Sequence, residues 1–207
     1  MPATDHKIRS LQAILGPVQG ITREELTAEM RALDLDLWIH AGLVAENASR
    51  MAAAFQLAAG ERSELVDAAW LHDLGKLTIA RALLDKPGNL DPGEWIEMHA
   101  HAERGAAYLG GNPRLQPISP LVRHHHERFD GSGYPDRLAG AAIPFGSRII
   151  CLIDAFDAMT TERPYRAALP FEDALVEIAR CAGTQFDPLV ANKFLLIAHD
   201  LRKGAHA

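Results

Sequence analysis

The chain has 207 residues, of which 48% are hydrophobic and 23% charged, a composition typical of one globular domain with a real core. A formal net charge of −6 argues against a general DNA or RNA coat, and the two distant cysteines, Cys151 and Cys181, argue against a disulfide framework. No stretch approaches the roughly 20 apolar residues that span a bilayer, and the N-terminus lacks the apolar core of a signal peptide, so we expect a cytoplasmic protein that does not enter membranes.

The predicted secondary structure is helical in nearly every segment. Residues 1–20 are weakly patterned and are expected to form an N-terminal extension, either a short helix or a loose lead-in. Thr22 and Glu25 have the spacing of a capping box and start the first convincing helix. Good helix formers and helix-start signals predict further helices over 33–59, 63–72, 91–109, 117–127, 147–160, 171–182 and 187–203.

Only one long segment is predicted to lack helices. Residues 129–144 are rich in Gly and Pro, which indicates an ordered loop or a coil. Sustained period-two alternation is missing almost everywhere, and this disfavours strands. The fold class is therefore predicted to be all-α, with a single helical bundle over residues 21–203 and a tail over 204–207.

Ten histidines are the anomaly in this composition, and most lie in the middle of the chain. His72 and Asp73 are adjacent at the end of a predicted helix, so their side chains leave the backbone in different directions. A carboxylate has two oxygens that can bridge two cations, whereas an imidazole uses one nitrogen, so the pair suits a dinuclear site. The other candidate metal ligands are His40, His101, His125, His126 and Asp154.

This ligand set contains no cysteine, which favours Fe or Mn over a structural zinc. Two metals a few ångströms apart can share a hydroxide nucleophile, clamp a phosphate oxygen and stabilise the leaving alkoxide, as phosphodiester hydrolysis requires. The alternative for any single histidine is a surface position or a hydrogen-bonded core position. We assign that structural or solvent-facing role to His6, His99, His124, His199 and His206.

Several motifs together resemble the HD-GYP family, a branch of the HD-domain metal-dependent phosphohydrolases. The matching segments are His72-Asp73-Leu74-Gly75-Lys76, the run from His125 to Pro135, Ile143-Pro144, and residues 154–160, 163–166 and 183–188. An HD pair alone is a weak signal, but HHExxDGxGYP after HDxGK at this separation is very specific. The resemblance covers about residues 36–198 and implies an HD-type bundle with an extra C-terminal helical part and an ordered GYP loop.

Carried over by position, the resemblance implies one metal held by His40, His72, Asp73 and Asp154, and a second held by Asp73, His101, His125 and His126. His101 is preferred to His99 because the family has a His four residues before a Gly, which Gly105 matches. Asp36 lies four residues before His40 on the same helix face. Some family members carry Glu there and hold a third metal, so Asp36 is a candidate ligand of a third metal site. Its side chain is one methylene shorter than that of Glu, so the sequence does not decide between two and three metals.

The resemblance also implies roles next to the substrate. Asp73 and Lys76 are the implied catalytic residues, and Lys76 would lie near the scissile phosphate, with a solvated helix-end lysine as the alternative. Arg163 and Arg166 would face the substrate phosphates, because guanidinium groups match phosphate oxygens. The alternative for both arginines is a surface turn.

The signature loop contains Gly133, Tyr134 and Pro135. Glycine permits tight backbone turns, and Tyr134 either contacts the ligand or packs to shape the pocket. Three further carboxylates either orient the ligating histidine rings or cap helices, namely Glu127, Asp130 and Asp157.

The function that the resemblance implies is hydrolysis of cyclic di-GMP to linear pGpG through a metal-bridging hydroxide, with further cleavage to GMP left open. Two or three metal ions are expected, with Fe first and Mn second. One alternative is a low-activity cyclic-dinucleotide receptor that signals to a protein partner through the GYP loop. The others are a hydrolase of another cyclic dinucleotide and a di-iron oxygenase.

Overall fold

The computed structural model describes residues 10–162 and 167–204, with side chains as far as residue 199. These residues form ten α-helices and no β-strand, so the all-α prediction is confirmed. Within the same ranges, every helix falls short of the length or apolar character that crossing a bilayer requires. The helices are α1 (Leu11–Leu15), α2 (Arg23–Leu33), α3 (Leu35–Ala54), α4 (Ala59–Leu71), α5 (Arg81–Leu84), α6 (Pro92–Gly110), α7 (Ser119–Arg123), α8 (Phe145–Thr160), α9 (Phe171–Arg180) and α10 (Pro188–Gly204).

The predicted helix over 33–59 is wrong at both ends. Asp34 interrupts it with an extended conformation (φ −151°, ψ 99°), and its Oδ1 accepts a hydrogen bond from the Leu37 N–H at 3.0 Å. Asp34 thereby ends α2 and caps α3. α3 stops at Ala54, and Gln56 has a left-handed φ of 55° in the turn before α4. The helices predicted to start at 63 and 147 also begin earlier, as α4 and α8.

The segment predicted as one helix over 117–127 is a 3₁₀ turn followed by the short helix α7. His125 Nδ1 donates to the Val122 carbonyl oxygen at 2.6 Å. A continued helix would offer that carbonyl to the backbone N–H of His126, so the side chain competes with the helix. His125 and His126 consequently lie in a turn. The loop predicted over 129–144 is present, with one 3₁₀ turn at Gly140–Ala142.

The helices pack so that the turn after α4 lies against α6. α3 and α4 form the most extensive helix pair, and α8 packs on α3. The 3₁₀ turn Leu74–Thr78 lies on α6 so closely that a Cβ on Gly75 would be 1.9 Å from the His101 carbonyl oxygen. Glycine is therefore required at this position. The approach brings Asp73, which precedes the turn, next to His101.

Part of the predicted N-terminal extension packs into the bundle. Leu11 of α1 and Val18 are buried in the core. Asn112 Nδ2 donates to the carbonyl oxygens of Val18 and Ile21, both at 2.8 Å. The packed part of the chain therefore begins before residue 21.

Candidate metal centre

Seven of the candidate ligands predicted from the sequence converge at one place in the bundle. Four of them have almost no exposed surface: His72, Asp73, His101 and His125. The seven come from separate elements: His40 from α3, His72 and Asp73 from the end of α4, His101 from α6, His125 and His126 from the turn after α7, and Asp154 from α8.

A first group forms around one oxygen of Asp73. The Nε2 atoms of His40 and His72 lie 3.3 Å apart. Asp73 Oδ2 is 3.7 Å from the first and 3.4 Å from the second. Asp154 Oδ1 approaches the same two nitrogens, at 3.2 Å from His40 and 4.0 Å from His72.

A second group forms around the other oxygen of Asp73. The Nε2 atoms of His101 and His125 lie 3.3 Å apart, and Asp73 Oδ1 is 3.3 and 3.8 Å from them. His126 completes this group, whose ligand atoms all lie within 4.8 Å of one another. Asp73 is thus shared by both groups, one oxygen to each.

Hydrogen bonds fix which ring nitrogen of each histidine faces the centre. Three rings bond through Nδ1 to the carbonyl oxygen three residues earlier, at 2.6–2.8 Å: His72 to Ala69, His101 to Met98 and His125 to Val122. His40 Nδ1 bonds to Asp157 Oδ2 at 2.7 Å. Because a carbonyl oxygen only accepts, Nδ1 of those three rings must be the donor. Nε2 of each neutral ring then presents a lone pair to the centre.

The donor set fits a pair of cations. The ligand atoms of one cation, with bonds near 2.1 Å, lie about 3 Å apart, as the facing Nε2 atoms do. Asp73 Oδ1 is buried and accepts no hydrogen bond within the described residues. His101 Nε2 lies 3.3 Å away, and in the neutral ring, whose Nδ1 donates to Met98, this nitrogen carries no hydrogen to donate. A buried carboxylate oxygen without a donor is costly unless a cation faces it.

The first group carries an excess of negative charge. Burial would lower the pKa of His40, but hydrogen bonds to Asp154 and Asp157 raise it to about 10. Burial would raise the pKa of Asp73, but the charge of Lys76 holds it well below its usual value. The carboxylates are therefore ionised, and a proton on His40 balances charge that a cation would otherwise balance.

In the second group, two of the imidazoles, those of His125 and His126, are kept neutral. Burial is the main cause that lowers the pKa of His125 well below its usual value, and the neighbouring imidazoles lower it further. Burial and the proximity of His101 lower the pKa of His126 to about 3. Neutral imidazoles and ionised carboxylates are the protonation states that bind metal ions.

The centre opens onto a cavity of ≈ 430 Å³, within the size range of small-molecule sites. His40, Asp73 and Lys76 all line it. Lys76 Nζ donates to Asp73 Oδ2 at 2.5 Å, so an ammonium group lies beside the shared carboxylate at the cavity wall. The predicted phosphate contacts Arg163 and Arg166 lie outside the described residues.

Asp36 lines the same cavity but belongs to neither ligand group. Its side chain is 87% exposed, and Arg81 Nη2 lies 3.9 Å from its Oδ2. Asp34 and Asp85 hold that guanidinium at 2.7 and 2.6 Å. Because α3 begins only at Leu35, Asp36 lies in the first turn of the helix, at its open end.

The GYP loop lies against the turn that carries the paired histidines. A Cβ on Gly133 would be 2.3 Å from the Arg128 nitrogen and 2.6 Å from the His126 carbonyl oxygen, so this approach requires glycine. The Tyr134 N–H donates to the His126 carbonyl at 3.3 Å, and the Tyr134–Pro135 peptide bond is cis.

Three carboxylates were predicted either to orient histidine rings or to cap helices. One of them contacts a ring, and the other two hold the loop. Asp157 bonds to His40. Glu127 is buried, and its carboxylate accepts the backbone N–H groups of Asp136 at 2.7 Å and Leu138 at 3.1 Å. Asp130 bonds within the loop itself.

The histidines outside the predicted ligand set differ in their surroundings. His124 bonds to a backbone carbonyl and to Asp136, and His199 is exposed on α10. His6 and His206 lie outside the described residues. His99, also predicted to be structural or solvent-facing, stacks on Tyr134 with ring centroids 3.7 Å apart. The spacing of these two residues gave no signal for this contact.

Residues 20–190 match the family model described as HD domain. The chain is 41% identical over 152 residues to 3'3'-cGAMP-specific phosphodiesterase 3 of Vibrio cholerae, covering 72% of this chain and 32% of that protein. It is 36% identical over 197 residues to the cyclic di-GMP phosphodiesterase response regulator RpfG of Xanthomonas campestris pv. campestris, covering 89% and 50%. It is 39% identical over 141 residues to a cyclic di-GMP phosphodiesterase of Thermotoga maritima, covering 67% and 38%.

The chain spans half or less of the length of these relatives. A solved crystal structure of a cyclic GMP-AMP-specific phosphodiesterase from V. cholerae shares the fold, with a TM-score of 0.59 at 20% identity, covering 79% of this chain and 44% of that one. The family model spans most of the chain, and the HD and GYP motifs lie within it. The chain therefore belongs to the HD domain family, in its HD-GYP branch.

Proposed function

We propose that the protein is a metal-dependent phosphodiesterase that hydrolyses a cyclic dinucleotide, with cyclic di-GMP as the first candidate. The observation that supports this most is the division of the ligands into two groups that share Asp73, one oxygen to each. Paired cation sites of this kind suit phosphodiester hydrolysis. The names of the X. campestris and T. maritima relatives support the substrate class.

Each proposed cation site uses imidazole and carboxylate donors. The first would be held by His40, His72, Asp73 and Asp154, and the second by Asp73, His101, His125 and His126. Donors without thiolate favour Fe, our first choice, or Mn. When bound, the cations would supply an activated water nucleophile and Lewis-acid stabilisation of the phosphate oxygens. We propose two cations rather than three, because Asp36 lies outside both groups and faces Arg81.

Lys76 and Asp73 would act together at the reacting phosphate. The Lys76 ammonium lowers the pKa of Asp73, which keeps the shared carboxylate ionised as both sites need. The same ammonium lines the cavity, where it can donate to a phosphate oxygen and stabilise charge that develops on the leaving oxygen. Arg163 and Arg166 are proposed to bind the second phosphate, since guanidinium groups match phosphate oxygens.

A second substrate candidate is 3'3'-cGAMP. Two V. cholerae relatives, at 41% and 37% identity, are named as phosphodiesterases specific for it. The two cyclic dinucleotides share the phosphodiester ring and differ in one purine base. Both candidates therefore fit the same proposed metal centre, and the walls of the cavity would decide between them.

The test compares both substrates on one sample. Protein purified anaerobically and loaded with Fe or Mn is incubated with each cyclic dinucleotide, and the products are identified by liquid chromatography and mass spectrometry. We expect linear pGpG from cyclic di-GMP, with GMP as the product of a further cut. An Asp73→Asn protein is the matched control and should give no product. If the metal-loaded wild type bound a cyclic dinucleotide tightly without hydrolysing it, the result would contradict the proposed phosphodiesterase activity and favour a receptor function.

A further inference from the structure

His126 differs from the other four site histidines in how its ring is held. Each of the other rings has a hydrogen bond through Nδ1 to a carbonyl or carboxylate oxygen. Within the described residues, the His126 ring forms no hydrogen bond. Its ring contacts are instead with His125, His101 and Tyr134, at centroid distances of 4.0, 5.0 and 4.8 Å.

Tyr134 is the one of these three neighbours that is not itself a candidate ligand. Its ring is inclined by 32° to that of His126 and by only 13° to that of His99, whose centroid is 3.7 Å away. Two imidazoles at these distances from one phenol cannot share a face without overlapping. The Tyr134 ring therefore lies between them, with one imidazole on each face, and has no free face on which a nucleobase could stack.

The outer side of this stack is supported by α6. His99 lies on that helix, and the Trp95 ring, one turn earlier, is 5.2 Å from the His99 ring. Trp95 is half exposed, whereas the far end of the stack reaches the buried second ligand group. A continuous row of rings thus connects the helix surface to His126.

We propose that His99 is a positioning residue, which presses Tyr134 against His126 and so fixes the orientation of that ring towards the second cation site. Ring packing would then orient His126, as a hydrogen bond through Nδ1 orients each of the other four histidine rings. This inference rests on the proposed metal centre.

The experiment measures Mn²⁺ affinity, which does not depend on turnover. Metal-free wild type and variants are titrated with Mn²⁺, and free Mn²⁺ is followed by electron paramagnetic resonance. In His99→Ala and His99→Leu, one of the two binding steps should weaken by about 10-fold and the other should stay as in wild type. His99→Phe keeps a flat ring that can stack but cannot bind metal, and it should restore the affinity. His199→Ala, which removes an exposed histidine on α10 beside Phe171, is the matched control and should bind as wild type.

The outcomes separate this inference from the proposed function. Wild-type affinity in both His99→Ala and His99→Leu would overturn the positioning role. Affinity in His99→Phe as low as in His99→Ala would also overturn it, because a ring nitrogen and not the stack would then matter. A folded wild type that binds no Mn²⁺ would instead contradict the metal centre itself. Thermal melting of each variant checks that it is folded, and His99→Leu retains apolar bulk if the alanine variant does not fold.

Discussion

The two halves of the candidate centre use the same kinds of donor in opposite electrostatic surroundings. In the first half, hydrogen bonds to Asp154 and Asp157 overcome burial and raise the pKa of His40 to about 10. In the second half, burial and a neighbouring imidazole lower the pKa of His126 to about 3. The shared carboxylate of Asp73 contributes one oxygen to each half.

This difference shows two ways of preparing a histidine to bind a cation. His40 is oriented by a carboxylate. The carboxylate makes the other ring nitrogen a stronger metal ligand, but it also stabilises a proton that competes with the cation for that nitrogen. His126 has no such partner in the described part of the chain and is oriented by packed rings, which leave it neutral. The two halves should therefore respond differently when single residues are changed.

The largest effect is expected from Asp73→Ala, which removes the group common to both halves. Neither cation would keep its full ligand set, and turnover should fall by more than about 100-fold, since metal stabilisation of the transition state is worth several kcal/mol. Metal content and hydrolysis are measured on the same sample. Glu46→Gln, on the exposed surface of α3, is the control. Wild-type metal content in Asp73→Ala would contradict the shared ligand.

The next largest effects should separate the halves. His40→Ala is expected to lose one cation and His126→Ala the other, so each variant should hold about one metal per chain and lose about 100-fold in turnover. Elemental analysis gives the metal content, and product analysis gives the rate. A His126→Ala protein with wild-type turnover would rule out the assigned role of the second half.

A smaller effect is expected from Asp157→Asn, which affects the first half alone. The amide oxygen can still accept from His40 Nδ1, but the negative charge is lost, so metal affinity of the first half should fall by about 10-fold. The second half should bind as in wild type. Asp67→Asn, which alters a half-buried carboxylate paired with Arg23 on α2, is the matched control. Equal losses in both halves would show that Asp157 does not act through His40.

The smallest effect on chemistry is expected from Glu127→Gln, which loosens the GYP loop. One backbone N–H would face the amide NH₂ in place of a carboxylate oxygen, so the free energy of unfolding should fall by about 1–3 kcal/mol. Urea unfolding measures the change. Glu103→Gln, at an exposed ion pair with Arg123, should be nearly neutral. An unchanged free energy in Glu127→Gln would mean that the loop does not depend on this anchor.

The fold class and most of the candidate site were predictable from the sequence, because contiguous motifs carry them. Thr22 and Glu25 have the spacing of the capping box that the structure contains. The pairs His72-Asp73 and His125-His126 are adjacent in sequence, so one motif places two donors at once. The prediction of which segments are helical needed only helix propensity and end signals.

The parts that were not predictable depend on contacts between distant residues or on a single cap. Asp34 ends one helix and caps the next, whereas the Ala-rich segment was predicted to be helical from residue 33. Asp36 shares a face with His40, but its position in the first turn of α3 leaves it exposed. The stack of His99 on Tyr134 joins α6 to the GYP loop. These two residues are distant in sequence, so no local sequence pattern predicts their contact.

The most direct test of the central claim is a crystal structure of the Mn-loaded protein, with anomalous diffraction recorded at the Mn absorption edge. We predict two anomalous peaks, one on each side of the Asp73 carboxylate, with His40, His72 and Asp154 around the first and His101, His125 and His126 around the second. A single peak, or peaks that do not share Asp73, would contradict the account.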